Sequence, residues 1–137
     1  MDEPGENEAV TITVRPWWDP RLAIEGHDVL GGYAEQYWLP VLGPAATLAH
    51  RSFVRALRDA PEGFDMDRAD LARRLGLGRR SGAHGPTARA VDRLCYFGLA
   101  RDGEVLEVRT HLPSLPPHLH RRLPRDVSDR IGESAAG

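Results

Sequence analysis

The 137-residue chain contains no lysine: all eighteen of its cationic side chains are arginine. Arginine suits bidentate contact with phosphate or guanine, although joint richness in Arg, Ala, Gly and Pro also fits a GC-rich genome. Cysteine is nearly absent as well. The lone Cys95 excludes an internal disulfide and fits a reducing compartment. No run approaches the eighteen apolar residues of a membrane span, and the acidic opening MDEPGENEAV is not a secretory signal. These absences point to a soluble cytoplasmic protein. A phosphate-binding glycine motif, a nucleophile elbow, a CxxC and an HExxH are all missing. We therefore expect neither an enzyme nor a cofactor. His111, His118 and His120 do not suggest a metal site, because His118 and His120, two apart, diverge on a helix. Helix capping accounts for Asp65, Asp67 and Asp70.

What is present is enough apolar material, 41%, for one core, and a marked charge asymmetry. Residues 1–50 carry eight acids and two arginines, whereas residues 51–137 carry sixteen arginines and twelve acids. The stretch LARRLGLGRRSGAHGPTARAVDRLCYFGLAR, residues 71–101, holds seven arginines and one acid, Asp92. A basic stripe in a near-neutral protein is a common footprint of phosphate binding.

Residues 1–8 read as disordered. Alternation predicts a strand through Val10, Ile12 and Val14, stopping at Pro16, and a short helix over Tyr33–Leu39, ended by Pro40. The next helix starts at Pro44, with Ala45, Leu48, Ala49, Ser52, Phe53, Ala56 and Leu57 on its buried face and Arg51, Arg55 and Arg58 solvated. After a brief strand over Gly63–Met66, Asp67 caps a helix in an approximate capping box with Asp70, and Gly76 ends it. A third helix runs from Pro86 to near Gly98, burying Val91, Leu94 and Cys95, with Thr87, Arg89, Asp92, Arg93 and Tyr96 pointing elsewhere. Asp102-Gly103 then signals a two-residue hairpin turn with positive φ. The tail offers a short helix over Pro117–Leu123, and the final GESAAG is expected to fray.

Helix, short strand, helix, helix, hairpin is the order of a winged helix-turn-helix domain, and the residues support more than the order. DLARRLGL resembles the second helix and turn of such domains, and ARAVDRLCYFGLAR resembles the third helix and the start of the wing. The resemblance covers residues 41–112 and suggests a bacterial branch of the winged-helix group. One departure is RRSGAHG, residues 79–85, which intervenes before the third helix. The implied fold class is α+β: a three-helix core with a two- to three-stranded wing. Residues 1–40 then form an acidic, aromatic N-terminal extension, and residues 113–137 a tail with a short helix.

The resemblance implies a DNA-binding transcriptional regulator that binds double-stranded DNA through the third helix, the loop before it and the wing. Thr87, Arg89 and Arg93 would face base edges, where an arginine can give guanine two parallel hydrogen bonds. Arg79, Arg80, Ser81 and His84 would meet phosphates, and Arg101 or Arg109 would add flanking contacts from the wing. Trp17, Trp18, Tyr33, Tyr37 and Trp38 either cap the core or form a homodimer or partner surface, since aromatics anchor interfaces. The competing expectation is a protein-interaction adaptor on the same fold, favoured by the modest total charge and this aromatic cluster. RNA binding or a replication-associated role is a third.

Overall fold

Strand β1, Thr11–Trp17, runs on through Pro16 rather than stopping there. Its first half pairs antiparallel with β3, Phe64–Asp67, from Thr11↔Asp67 to Val14↔Phe64. Its second half pairs parallel with β5, Leu106–Arg109, from Val14↔Leu106 to Trp17↔Arg109. Pro16 thus lies beyond the last residue paired with β3, where a missing N–H costs the sheet least. Strand β4, Ala100–Asp102, completes the order β3-β1-β5-β4. These relationships come from a computed structural model that describes residues 10–78 and 85–136, the side chains of residues 132–136 aside. Residues 1–8, expected to be disordered, lie outside it.

The chain is a mixed α+β fold with several helices and two small sheets. After β1 come α1, Pro20–Glu25, and β2, His27–Asp28, which pairs with β6, His111–Leu112, as the second sheet. Around Tyr33 the expected helix is instead a π-helical turn, Ala34–Trp38, leading into α2, Leu39–Leu42. Pro40 does not end it. The proline follows directly on the π-helical turn, where Leu39 N–H reaches back to the Ala34 carbonyl, and the helix runs on to Leu42.

Three helices follow: α3, Pro44–Asp59, α4, Arg68–Arg74, and α5, Pro86–Tyr96. They pack on one another, and α3 lies against β1 and β5. The core joins Val14 and Val108 from the sheet to Phe53, Leu71, Leu94 and Leu99, all fully buried. Each such side chain contributes about 1.5–3 kcal/mol by leaving water. Helices α4 and α5 end alike. Gly76 and Gly98 take positive φ, and the next residues reach back, Leu77 N–H to the Ala72 carbonyl and Leu99 N–H to the Leu94 carbonyl. Both are Schellman motifs, with glycine where a Cβ would be strained.

Several expectations require correction. The buried stripe of α3 is Ala46, Thr47, Ala49, His50, Phe53, Val54 and Leu57, while Leu48 is 43% exposed. The helix is rotated so that His50, not Leu48, enters the core. Asp67 holds the N-cap position of α4 but makes no side-chain cap, and Asp70 pairs with Arg74 at 2.9 Å instead of completing a box. The β4–β5 turn has three residues, 103–105, because Asp102 pairs with Leu106, and neither Asp102 nor Gly103 has positive φ. In the tail a 3₁₀ helix, Pro117–Arg122, precedes α6, Arg125–Ala136, a second helix beyond the single short one expected.

The N-terminal region contributes to the core rather than lying over it. β1 is an interior strand, and Trp38 is buried with its indole N–H on the Pro113 carbonyl at 3.0 Å. Arg51, expected to be solvated, donates to the carbonyls of Val29, Leu30 and Gly31 at 2.9–3.2 Å. Arg58 pairs with Asp28 at 2.9 Å.

Candidate functional site

The outward side of α5 is set by its own sequence. Proline at its first position fixes φ, and Thr87, Ala88, Ala90 and Leu94 turn inward. That leaves Arg89, Asp92, Arg93 and Tyr96 exposed along one stripe at three- and four-residue spacing. Arg89 and Arg93 were expected on this side and are there. Thr87 was not expected inside, yet it is fully buried, and its Oγ1 has no hydrogen-bond partner among the described residues. It cannot reach a base edge. Arg79, Arg80, Ser81 and His84 lie outside the described residues.

The arginines of β4 and β5 are engaged within the protein. Arg101 makes a bidentate pair with Glu107, Nε at 2.9 Å and Nη2 at 3.1 Å. The hydrogen bond holds the Glu107 carboxyl below its ordinary value and raises the guanidinium further. Arg109 donates Nε–H to the Gly98 carbonyl at 3.0 Å and pairs with Asp19 at 3.4 Å. Both guanidinium groups stand over the Trp17 ring, 4.2 and 3.8 Å from its centroid. Arg93 gives one N–H to the Val41 carbonyl at 2.9 Å and lies 5.4 Å from the Phe97 ring centre.

The two flanks of α5 differ in character. Toward the β4–β5 hairpin is a cleft of about 310 Å³ that sets Asp92, Asp102 and Glu104 against Arg68. A phosphate backbone brought in on that side would meet three carboxylates. On the other flank an open groove of about 710 Å³ lies between the start of α3 and the outward side of α5. Leu42, Pro44, Ala45, Ala46 and Ala90 give it an apolar lining, with Arg89, Arg93, Tyr96 and Asp92, which both flanks share, beside them. Cys95 on the same helix is half-buried, and burial together with Asp102 and Asp92 pushes its thiol up, away from thiolate chemistry.

The aromatic cluster divides. Tyr33 stacks between His27, at 3.5 Å, and Tyr37, at 4.3 Å, and its hydroxyl accepts the Leu115 N–H at 2.8 Å. His27 also meets Ser114 at 3.1 Å, and burial lowers its pKa. With Trp38, these residues fasten the N-terminal region to the C-terminal tail. Trp17 is covered by arginine, and Trp18 alone of the five is largely exposed, at 60%, with its ring edge-on to His111.

Sequence reasoning missed His50, the anchoring role of Arg51 and the α3/α5 groove. His50 had a signal: counting its ring as apolar completes the stripe Ala46, Ala49, His50, Phe53, Leu57. The groove had only its run of small residues, Gly43 to Ala46, which lies forty positions or more from its other wall. No protein-family model, curated protein or solved structure matches the chain.

Proposed function

We propose that the chain is a winged-helix-type recognition module that holds a polypeptide partner on the outward side of α5. The order α3, β3, α4, α5, β4, β5 supports the winged-helix assignment, with β1 inserted between β3 and β5. The contrast between the two flanks of α5 carries the choice of partner. The wing flank gathers Asp92, Asp102 and Glu104, and its arginines are engaged by Glu107 and Asp19, whereas the opposite flank opens on an apolar groove. Apolar lining beside an exposed aromatic is the composition of a protein-binding surface. Such a module belongs in the cytoplasm, where the free Cys95 stays reduced. Exposed Trp18 is a further aromatic anchor, suited to a homodimer contact.

The second reading is a DNA-binding regulator. Exposed Arg89 on α5 and the seven arginines of residues 71–101 favour it. In that reading Arg89 and Arg93 approach bases, and Arg79 and Arg80 hold phosphates.

Titrating a labelled duplex of mixed sequence with the full chain at low salt separates the two. The adaptor reading expects no saturable shift. The regulator reading expects binding at least as tight as ordinary non-specific association, about 10⁻⁴–10⁻⁶ M, with a log–log salt slope of about 0.9 per phosphate neutralised. A duplex complex weakened by Arg89→Ala and by Arg79→Ala/Arg80→Ala would replace our conclusion with the regulator.

A further inference from the structure

We infer that the groove between α3 and α5 takes an acidic segment bearing apolar side chains, supplied by a protein partner. This rests on the polypeptide reading above and names the chemistry of the partner. At about 710 Å³ the groove falls within the range of about 300–1,000 Å³ common for ligand clefts. Its lining is short: Gly43, Ala45, Ala46 and Ala90 bring backbone close to the surface and leave room for a partner's larger side chains. Tyr96, 82% exposed and edge-on to Phe97 at 5.0 Å, stands at its margin, where covering it would remove aromatic surface from water.

The charge at the groove is positive. Among the described lining residues, Arg89 and Arg93 stand against one carboxylate, Asp92. Helices α3 and α5 both begin there, each with proline in its first turn and neither with a side-chain cap. Two positive dipole ends therefore add to the two guanidinium groups. Arg93 is already held by the Val41 carbonyl and the Phe97 ring, so less side-chain freedom is lost when a carboxylate arrives. Its guanidinium has five N–H groups, and one is spent on Val41. A basic or uncharged segment would bury the same apolar lining but meet repulsion or no pairing at the rim.

The test uses the full chain as bait for a random-peptide display library, followed by fluorescence anisotropy on the enriched sequence made as a labelled peptide. We expect enrichment of Asp and Glu interleaved with Leu, Ile or Phe, and binding that weakens as salt rises. Arg89→Glu should weaken that peptide at least tenfold, and a peptide with its acids changed to lysine should recover binding to this variant. Tyr96→Ala, which removes an exposed ring and leaves the charge intact, should weaken the acidic peptide severalfold. Ile24→Ser, at an exposed position away from the groove, should leave it unchanged. Circular dichroism melts confirm that each variant is folded. Enriched peptides that are basic or uncharged, or acidic peptides indifferent to both Arg89→Glu and Tyr96→Ala, overturn the groove assignment and leave polypeptide recognition standing. If no peptide is enriched, the groove assignment is lost, and a duplex that binds in the same buffer removes the recognition reading with it.

Discussion

His50, midway along α3, donates its Nε2–H to the backbone carbonyl of Arg109 at the end of β5, 2.8 Å away. The ring is fully enclosed, and burial lowers its pKa to about 4, although the hydrogen bond works in the opposite sense. A neutral imidazole therefore ties the helical layer to the sheet at the strand that also carries Arg109.

The pairing makes stability depend on pH. An unfolded histidine binds its proton near pH 6.5, the folded one only near pH 4, so between these values the unfolded state holds more protons. Stability is full above about pH 6.5 and falls as the pH drops toward 4. Each unit crossed costs about 1.4 kcal/mol, or roughly 2 kcal/mol between pH 6.5 and 5. Urea unfolding at the two pH values should show this loss, and His50→Gln, which keeps a donor but cannot titrate, should show a smaller one. An equal loss in the variant would assign the pH dependence to other groups.

Trp38 carries the second prediction. Its indole N–H satisfies the Pro113 carbonyl, and Trp38→Phe would leave that acceptor without its partner and open space in the core. The cost should be about 2 kcal/mol in denaturant unfolding. The loss should also be felt in the tail, as faster proteolysis within residues 113–124. Unchanged cleavage there would mean that the tail is held by other contacts, such as the Tyr33 hydroxyl.

Arg51 makes three backbone hydrogen bonds that a lysine cannot reproduce, because they depend on the planar fork of the guanidinium. Arg51→Ala should cost about 3 kcal/mol, given about 1.5–3 kcal/mol for bonds from a charged donor to buried partners. Arg51→Lys should recover less than half of that. Hydrogen exchange at residues 28–33 should rise in both variants. A lysine variant as stable as the parent would show that charge alone suffices.

Thr87 distinguishes a buried residue from a ligand contact. Its hydroxyl is enclosed without a partner among the described residues, so Thr87→Val, of nearly equal volume, should be neutral or stabilising by up to about 2 kcal/mol. It should leave the affinity of any peptide or duplex unchanged. A variant that folds normally but loses binding would return Thr87 to the interface.

Glycine after a helical turn was a local signal that held, whereas the Asp67 capping box, the Asp102-Gly103 turn and the stops at Pro16 and Pro40 did not. LGL and FGL each place glycine after a helical turn and leucine behind it, and both became Schellman caps at Gly76 and Gly98. Leu106 and Val108, alternate residues of β5, are both buried. The helices failed where the choice of face depended on neighbours. Spacing alone allows the α3 stripe to include Leu48 or His50, and only the Arg109 carbonyl opposite makes the histidine acceptable inside.

The sequence by itself determined that α3 and α5 start at Pro44 and Pro86, where α4 and α5 stop, and which side of α5 presents Arg89, Arg93 and Tyr96, because periodicity, proline and glycine act within a few residues. Only the tertiary structure decided what those arginines face. Asp19 reaches Arg109 across ninety positions, β1 enters between β3 and β5, and the starts of α3 and α5 meet to form the groove. Charge and burial are properties of three-dimensional neighbourhoods, and the chain assembles these from segments that carry no local mark of one another.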